Sequence, residues 1–148
     1  MWRVMGLVFY GNKDHFWDEG HKRFKLEHIQ EFLVQKGIGL WDTGMAVRRL
    51  KDNASDKFLE IVESIDLGAL LTDAPSICHV ATTGEKATAV VAGIAGVALP
   101  AIGKCVACSV DGHDFSLWRM PSTSRAYPLS IDKKAALYEL MLRAVGIL

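Results

Sequence analysis

The sequence predicts an α/β fold, and three observations carry that expectation. Helical and strand-like runs alternate along the chain. The run Ile77 to Thr82 is continuously apolar-leaning, as in a strand buried on both faces. An Asp111-Gly112 pair separates two strand-like runs and marks a tight hairpin. Together they imply an α/β sandwich around a mostly parallel sheet. In such sheets ligands gather at the carboxyl ends of the strands.

The elements follow in order. Trp2, Met5 and Phe9 recur at helical spacing, so Met1 to Phe9 is assigned a short helix, with a strand as the alternative. Gly11-Asn12 ends it. Lys22 to Lys36 is predicted as a helix with Leu26, Ile29 and Leu33 on one face and Phe32 beside them. Gly37 stands where a left-handed stop belongs. Ile38 to Asp42 reads as a short strand. Arg48, Arg49 and Lys51 form a basic cluster ahead of the polar stretch Asp52 to Asp56. Asp66 to Ala74 is a short helix capped by Asp66 and ended by Pro75. Thr83-Gly84-Glu85-Lys86 opens the next helix, and the segment from Gly96 to Gly103 is a loop. Cys105 to Val110 and Phe115 to Trp118 form the hairpin. The last helix runs from Ser130 to about Val145, with Leu137, Leu140, Met141, Ala144 and Val145 as its apolar stripe.

Composition bounds the function. The chain has 148 residues, half of them hydrophobic, enough for one domain with a sizeable core. Its 17 basic and 17 acidic side chains cancel, so nucleic acid or anionic lipid must be met by a local patch. Three cysteines fit a reducing compartment. With no run long enough to span a bilayer and no signal peptide, a soluble, cytoplasmic protein is expected.

In the stretch Arg119-Met120-Pro121-Ser122-Thr123-Ser124-Arg125-Ala126, the Pro-Ser-Thr-Ser-Arg loop lies between a strand and a helix and offers three hydroxyls, backbone N–H groups and a cation. That set suits a phosphate or a polar ligand edge. A polar turn whose hydroxyls cap their own backbone would use the same residues. Three loops are expected at the strand ends: the one after Trp41 and Asp42, the Thr83-Gly84 turn, and the segment from Pro121 to Arg125. Cys105-x-x-Cys108 is not read as a metal site. Its side chains point to opposite faces of a strand, and no second pair accompanies them. His15, His21 and His28 fall on polar ground, and no catalytic triad can be assigned from residue order.

Four segments in order carry a family resemblance: Met1-Trp2-Arg3-Val4-Met5-Gly6, Gly37-Ile38-Gly39-Leu40-Trp41-Asp42, Thr83-Gly84-Glu85-Lys86-Ala87 and Met120-Pro121-Ser122-Thr123-Ser124. The chain resembles the uracil–DNA glycosylase superfamily, nearest its mismatch-specific and hypoxanthine-DNA branches. The resemblance implies a single domain, a three-layer α/β/α sandwich, and hydrolysis of the N-glycosidic bond of a uracil or hypoxanthine flipped out of DNA, without metal or cofactor. It makes Pro121, Ser122, Thr123, Ser124 and Arg125 the DNA-binding loop. Thr83, Gly84, Lys86, Trp41 and Asp42 become phosphate or pocket residues. Arg125 departs from the small or apolar wedge residue of the family.

The family's first motif, a strand and a polar loop, precedes a phrase of the type Asn-x-Phe-Trp-Arg. Met1-Trp2-Arg3 is set on that phrase. An alternative sets Phe9 to Trp17 there, with Phe9 stacking on the base and Asp14 replacing an asparagine. Either way the first motif, and with it the catalytic residue, falls outside the chain, so Met1 is expected to be an internal methionine. A sheet lacking its first strand would leave an apolar edge, through which a homodimer is expected. The second functional expectation is a catalytically silent nucleic-acid- or nucleotide-binding module on the same scaffold.

Overall fold

A computed structural model describes residues 1–49 and 59–148. Contacts divide these into two compact units, one formed by Met1–Leu40 with Thr123–Leu148, the other by Trp41–Ser122. Lys51 and the polar stretch Asp52 to Asp56 lie outside the described residues.

In the first unit, α1 (Trp2–Tyr10) ends at Gly11 in the left-handed conformation, φ 64°. The N–H groups of Gly11 and Asn12 return to Leu7 O and Gly6 O at 3.0 and 3.2 Å, satisfying carbonyls the helix leaves open. The chain turns so closely there that a Cβ on Gly6 would stand 2.5 Å from Asn12 O. The predicted start of the second helix is corrected. Lys22 to Phe24 belong to a hairpin of β1 (Trp17–Asp18) and β2 (Arg23–Phe24). The Asp18 carboxylate accepts from the N–H groups of Gly20 and His21, and Lys22 adopts φ 53°. A side chain that captures backbone donors in this way competes directly with helix. Trp17 meets Phe24 edge to face across the pair. Helix α2 therefore runs Leu26–Lys36 and stops at left-handed Gly37, as expected. It buries Ile29 and Phe32 and leaves Leu26 65% exposed.

Helix α5 (Ile131–Ala144) packs on α1 and is capped by Ser130, whose hydroxyl accepts from Lys133 N. Its apolar stripe is corrected: Leu140 is 66% exposed, and the buried residues are Lys134, Ala135, Tyr138, Met141 and Leu142. The helix has turned to bury the large Tyr138 ring, and Lys134, one turn earlier, goes in with it. Burial pushes the Tyr138 phenol well above the ordinary tyrosine range. The folded state then holds a proton that the unfolded chain releases above pH ~10. Stability is expected to be unaffected by Tyr138 below that pH and to fall as pH rises through it. The urea midpoint measured from pH 9 to 11 reads this, and Tyr138→Phe should flatten the decline. An equally steep decline in the variant would refute it.

The second unit is built on a three-stranded mixed sheet, ordered β5 (His79–Thr83), β7 (His113–Met120), β6 (Lys104–Val110). β5 runs parallel to β7 and β6 antiparallel to it. The hairpin falls where expected, with Asp111 at φ 50° and Gly112 at φ 78°, the twin positive values of a type I′ turn. Helices α3 (Leu67–Asp73) and α4 (Glu85–Ala95) pack on this sheet. The core joins Leu67, Leu71, Val91 and Ala92 to Cys108, Val110, Phe115 and Leu117. Asp66 caps α3 as expected, accepting from Ala69 N.

Three expectations are corrected here. β5 is not buried on both faces: Thr82 is, but His79 and Ala81 are exposed, because the helices cover the sheet on the alternate residues. Ile38 to Asp42 is not a strand, since among the described residues it has no strand to pair with, and Trp41 is 64% exposed. The sheet is also mixed rather than mostly parallel. An antiparallel pair, β3 (Gly44–Arg49) and β4 (Leu59–Ser64), precedes it.

Candidate functional site

The parallel pairing of β5 with β7 sets Thr83 beside Met120, so two chain segments leave the sheet side by side. The first turns at Gly84, with φ 97° and ψ 164°. Its N–H donates to Met120 O at 2.9 Å, tying the turn to the neighbouring strand end. The second segment folds over it: Pro121 is fully buried, and Ser122 Cβ lies 3.5 Å from where a Cβ on Gly84 would stand.

Beneath the turn is a buried hydroxyl network. Thr88 Oγ1 donates to Gly84 O at 2.8 Å, and Thr82 Oγ1 donates to Trp118 O at 3.0 Å. The two hydroxyls lie 2.9 Å apart. Each carries one proton, so the network fixes the turn with its donors fully committed. Above, the first residue of α4 is Glu85, whose carboxylate takes Arg119 Nη2 at 2.6 Å; Arg119 Nη1 donates to Pro100 O at 3.2 Å. A carboxylate at the positive end of a helix is favourable, and Arg119 fixes where it stands. Lys86 follows on the exposed first turn, and Thr83 is half-buried.

The chain then passes into the other unit. Thr123 and Ser124 are half-buried and Arg125 is exposed. Ser124 makes a local turn: its hydroxyl accepts from Ala126 N at 3.2 Å and its carbonyl from Tyr127 N at 3.2 Å. The self-capping polar turn is thus present at Ser124, with Arg125 and Ala126 at its tip.

Of the residues expected at the site, Thr83, Gly84, Pro121 and Ser122 come together, with Lys86 on the helix that Gly84 opens. Trp41 and Asp42 are exposed in irregular chain ahead of β3, so the third loop ends no strand. In the basic cluster, Arg48 lies 3.6 Å from Glu60 across the β3–β4 pair. Cys105 is exposed and Cys108 buried, on opposite faces as expected. Among the described residues no group of His, Cys, Asp and Glu could hold a metal ion, and no helix is long and apolar enough to cross a membrane. A depression of about 660 Å³ opens at the other end of β5, beside Cys78, His79 and Asp114. Thr82 and Thr88 were missed from sequence, as was the pairing of Arg119 with Glu85. Thr82 sits in an apolar strand and Thr88 three residues into a helix, and only the fold shows that their hydroxyls meet beneath the turn, Thr88 on the Gly84 carbonyl and Thr82 on the Trp118 carbonyl.

Compared with protein-family models, curated proteins and solved structures, the chain matches none.

Proposed function

We propose that the chain is a DNA-repair glycosylase-like protein of the uracil–DNA glycosylase type, cleaving the N-glycosidic bond of a base flipped out of DNA, its sheet belonging to an α/β/α sandwich. The supporting observation is the anchored pair of strand ends, with the Gly84 turn hydrogen-bonded to Met120 and overlaid by Ser122. A base inside the duplex is beyond reach and must be rotated out before its edge can be read. Cleavage then leaves positive charge on the sugar and negative charge on the departing base. Donors that are already fixed stabilise that charge without reorganising.

In this reading the Thr83-Gly84 turn and the Ser122 hydroxyl face the extruded nucleoside, and Lys86 meets a phosphate. Ser124 and Arg125 hold the DNA backbone. No residue of the chain is assigned the activation of water, and uracil or hypoxanthine is the base excised.

The test uses duplexes carrying uracil, hypoxanthine or a mismatched thymine, with alkali-labile sites as the readout for excision and fluorescence anisotropy for binding. Excision supports the proposal in full. Binding without excision favours a silent nucleic-acid-binding module. Absence of binding at low salt would discard both. For the bound form, Arg125→Ala should weaken affinity on every sequence and reduce the slope of log K against log salt by about one, the loss of a single phosphate contact. An unchanged slope would remove Arg125 from the interface.

A further inference from the structure

The fold buries the cation Lys134, at 4% exposure. A lysine is seldom buried without partners. This one also lies in the first turns of α5, where the helix dipole disfavours positive charge. It goes in with Tyr138, and its partners satisfy the charge there. Nζ donates to Ser124 O at 2.6 Å and lies 5.5 Å from the centre of the Tyr127 ring. The ammonium therefore grips both flanks of a four-residue turn whose tip is Arg125 and Ala126. The Ser124 carbonyl it holds is the one that accepts from Tyr127 N to close that turn.

We infer that Lys134 is a positioning residue that fixes the Ser124–Tyr127 turn and thereby aims Arg125. A charge-assisted bond from a rigid helix to the turn's closing carbonyl, shielded from water, removes the freedom an exposed loop tip would otherwise keep. The cation over the ring face restrains the second flank. The role in DNA binding rests on the function proposed above; the positioning itself does not.

The experiment has two readouts on the full chain. Trypsin cleaves after Arg125 only when the turn opens, and cleavage there is followed by mass spectrometry under native conditions. DNA affinity and its salt slope are measured in parallel. Lys134→Met keeps the length of the side chain and removes its charge. With an unchanged far-ultraviolet spectrum, it should raise the rate of cleavage after Arg125 about tenfold or more, as expected on losing a hydrogen bond from a charged group. It should also lower the salt slope as Arg125→Ala does, and Lys134→Arg should restore much of both. An unchanged cleavage rate in folded Lys134→Met would overturn the inference. Faster cleavage with unchanged DNA binding would uphold the positioning and overturn the DNA role of Arg125 instead. If Lys134→Met does not fold, Tyr127→Leu, which removes only the ring, should still speed cleavage after Arg125, and failure to do so would overturn the inference.

Discussion

Gly84→Ala is expected to lower stability by about 1–3 kcal/mol and to weaken DNA binding more than Arg125→Ala does. The cause is the backbone rather than crowding. At φ 97° and ψ 164° Gly84 occupies a region almost closed to residues with a side chain, while the nearest atom to a new Cβ, Ser122 Cβ at 3.5 Å, is only in ordinary contact. Alanine must either accept the strain or rotate away from it. Rotation would misdirect the N–H that binds Met120 and the carbonyl that receives Thr88, loosening the strand end and the following helix together. Gly93→Ala is the matched control. That position lies inside α4 with nothing within 4 Å of a Cβ, so it should be neutral or gain about 0.5–1 kcal/mol. Urea denaturation of the two variants separates strain from general intolerance. Equal midpoints would show that Gly84 is not strained.

Phe16→Ala should be the most damaging single truncation in the first unit, at about 3–5 kcal/mol. The ring is 1% exposed. It meets Trp2 at 6.0 Å, Tyr10 at 5.7 Å and Phe32 at 5.2 Å between centres, at angles from 60° to 85°. The edge-on contacts with Trp2 and Tyr10 add to the burial term. Trp2 and Tyr10 come from α1 and Phe32 from α2, so a cavity there separates the two helices from the segment that joins them. Total stabilities of about 5–15 kcal/mol leave little after such a loss. Near-ultraviolet circular dichroism and the urea midpoint would report it. A cost under about 1 kcal/mol would mean that the ring is not the centre of the cluster.

Local chemistry was legible in the sequence. Asp66, Ser130, Gly37 and the Asp111-Gly112 pair each act through their own backbone neighbours, and each sits as expected. So does the Thr83-Gly84 opening of α4. Choices made by distant partners were not legible. Lys22 to Phe24 has helical neighbours but is drawn into a hairpin by Asp18. Ile38 to Asp42 has the composition of a strand and, among the described residues, finds no pairing. Leu140 and Tyr138 compete to set the inward face of α5, and the larger ring wins, carrying Lys134 with it. At the site, the sequence pointed to the hydroxyls of the Pro121 to Ser124 segment. Spacing alone did not show the Thr82–Thr88 network below the turn or the Arg119–Glu85 pair above it, since each joins residues on different elements.

The sheet has two seams of unlike origin. Val110 pairs with His113 across two intervening residues, whereas His79 pairs with Ser116 only after α4 and β6 have been traversed. The first seam can close within microseconds of chain collapse; the second must wait for the larger loop to be drawn in. β5 is therefore expected to join the sheet last during refolding, and what depends on its carboxyl end, the Gly84 anchor included, is expected to form after the hairpin.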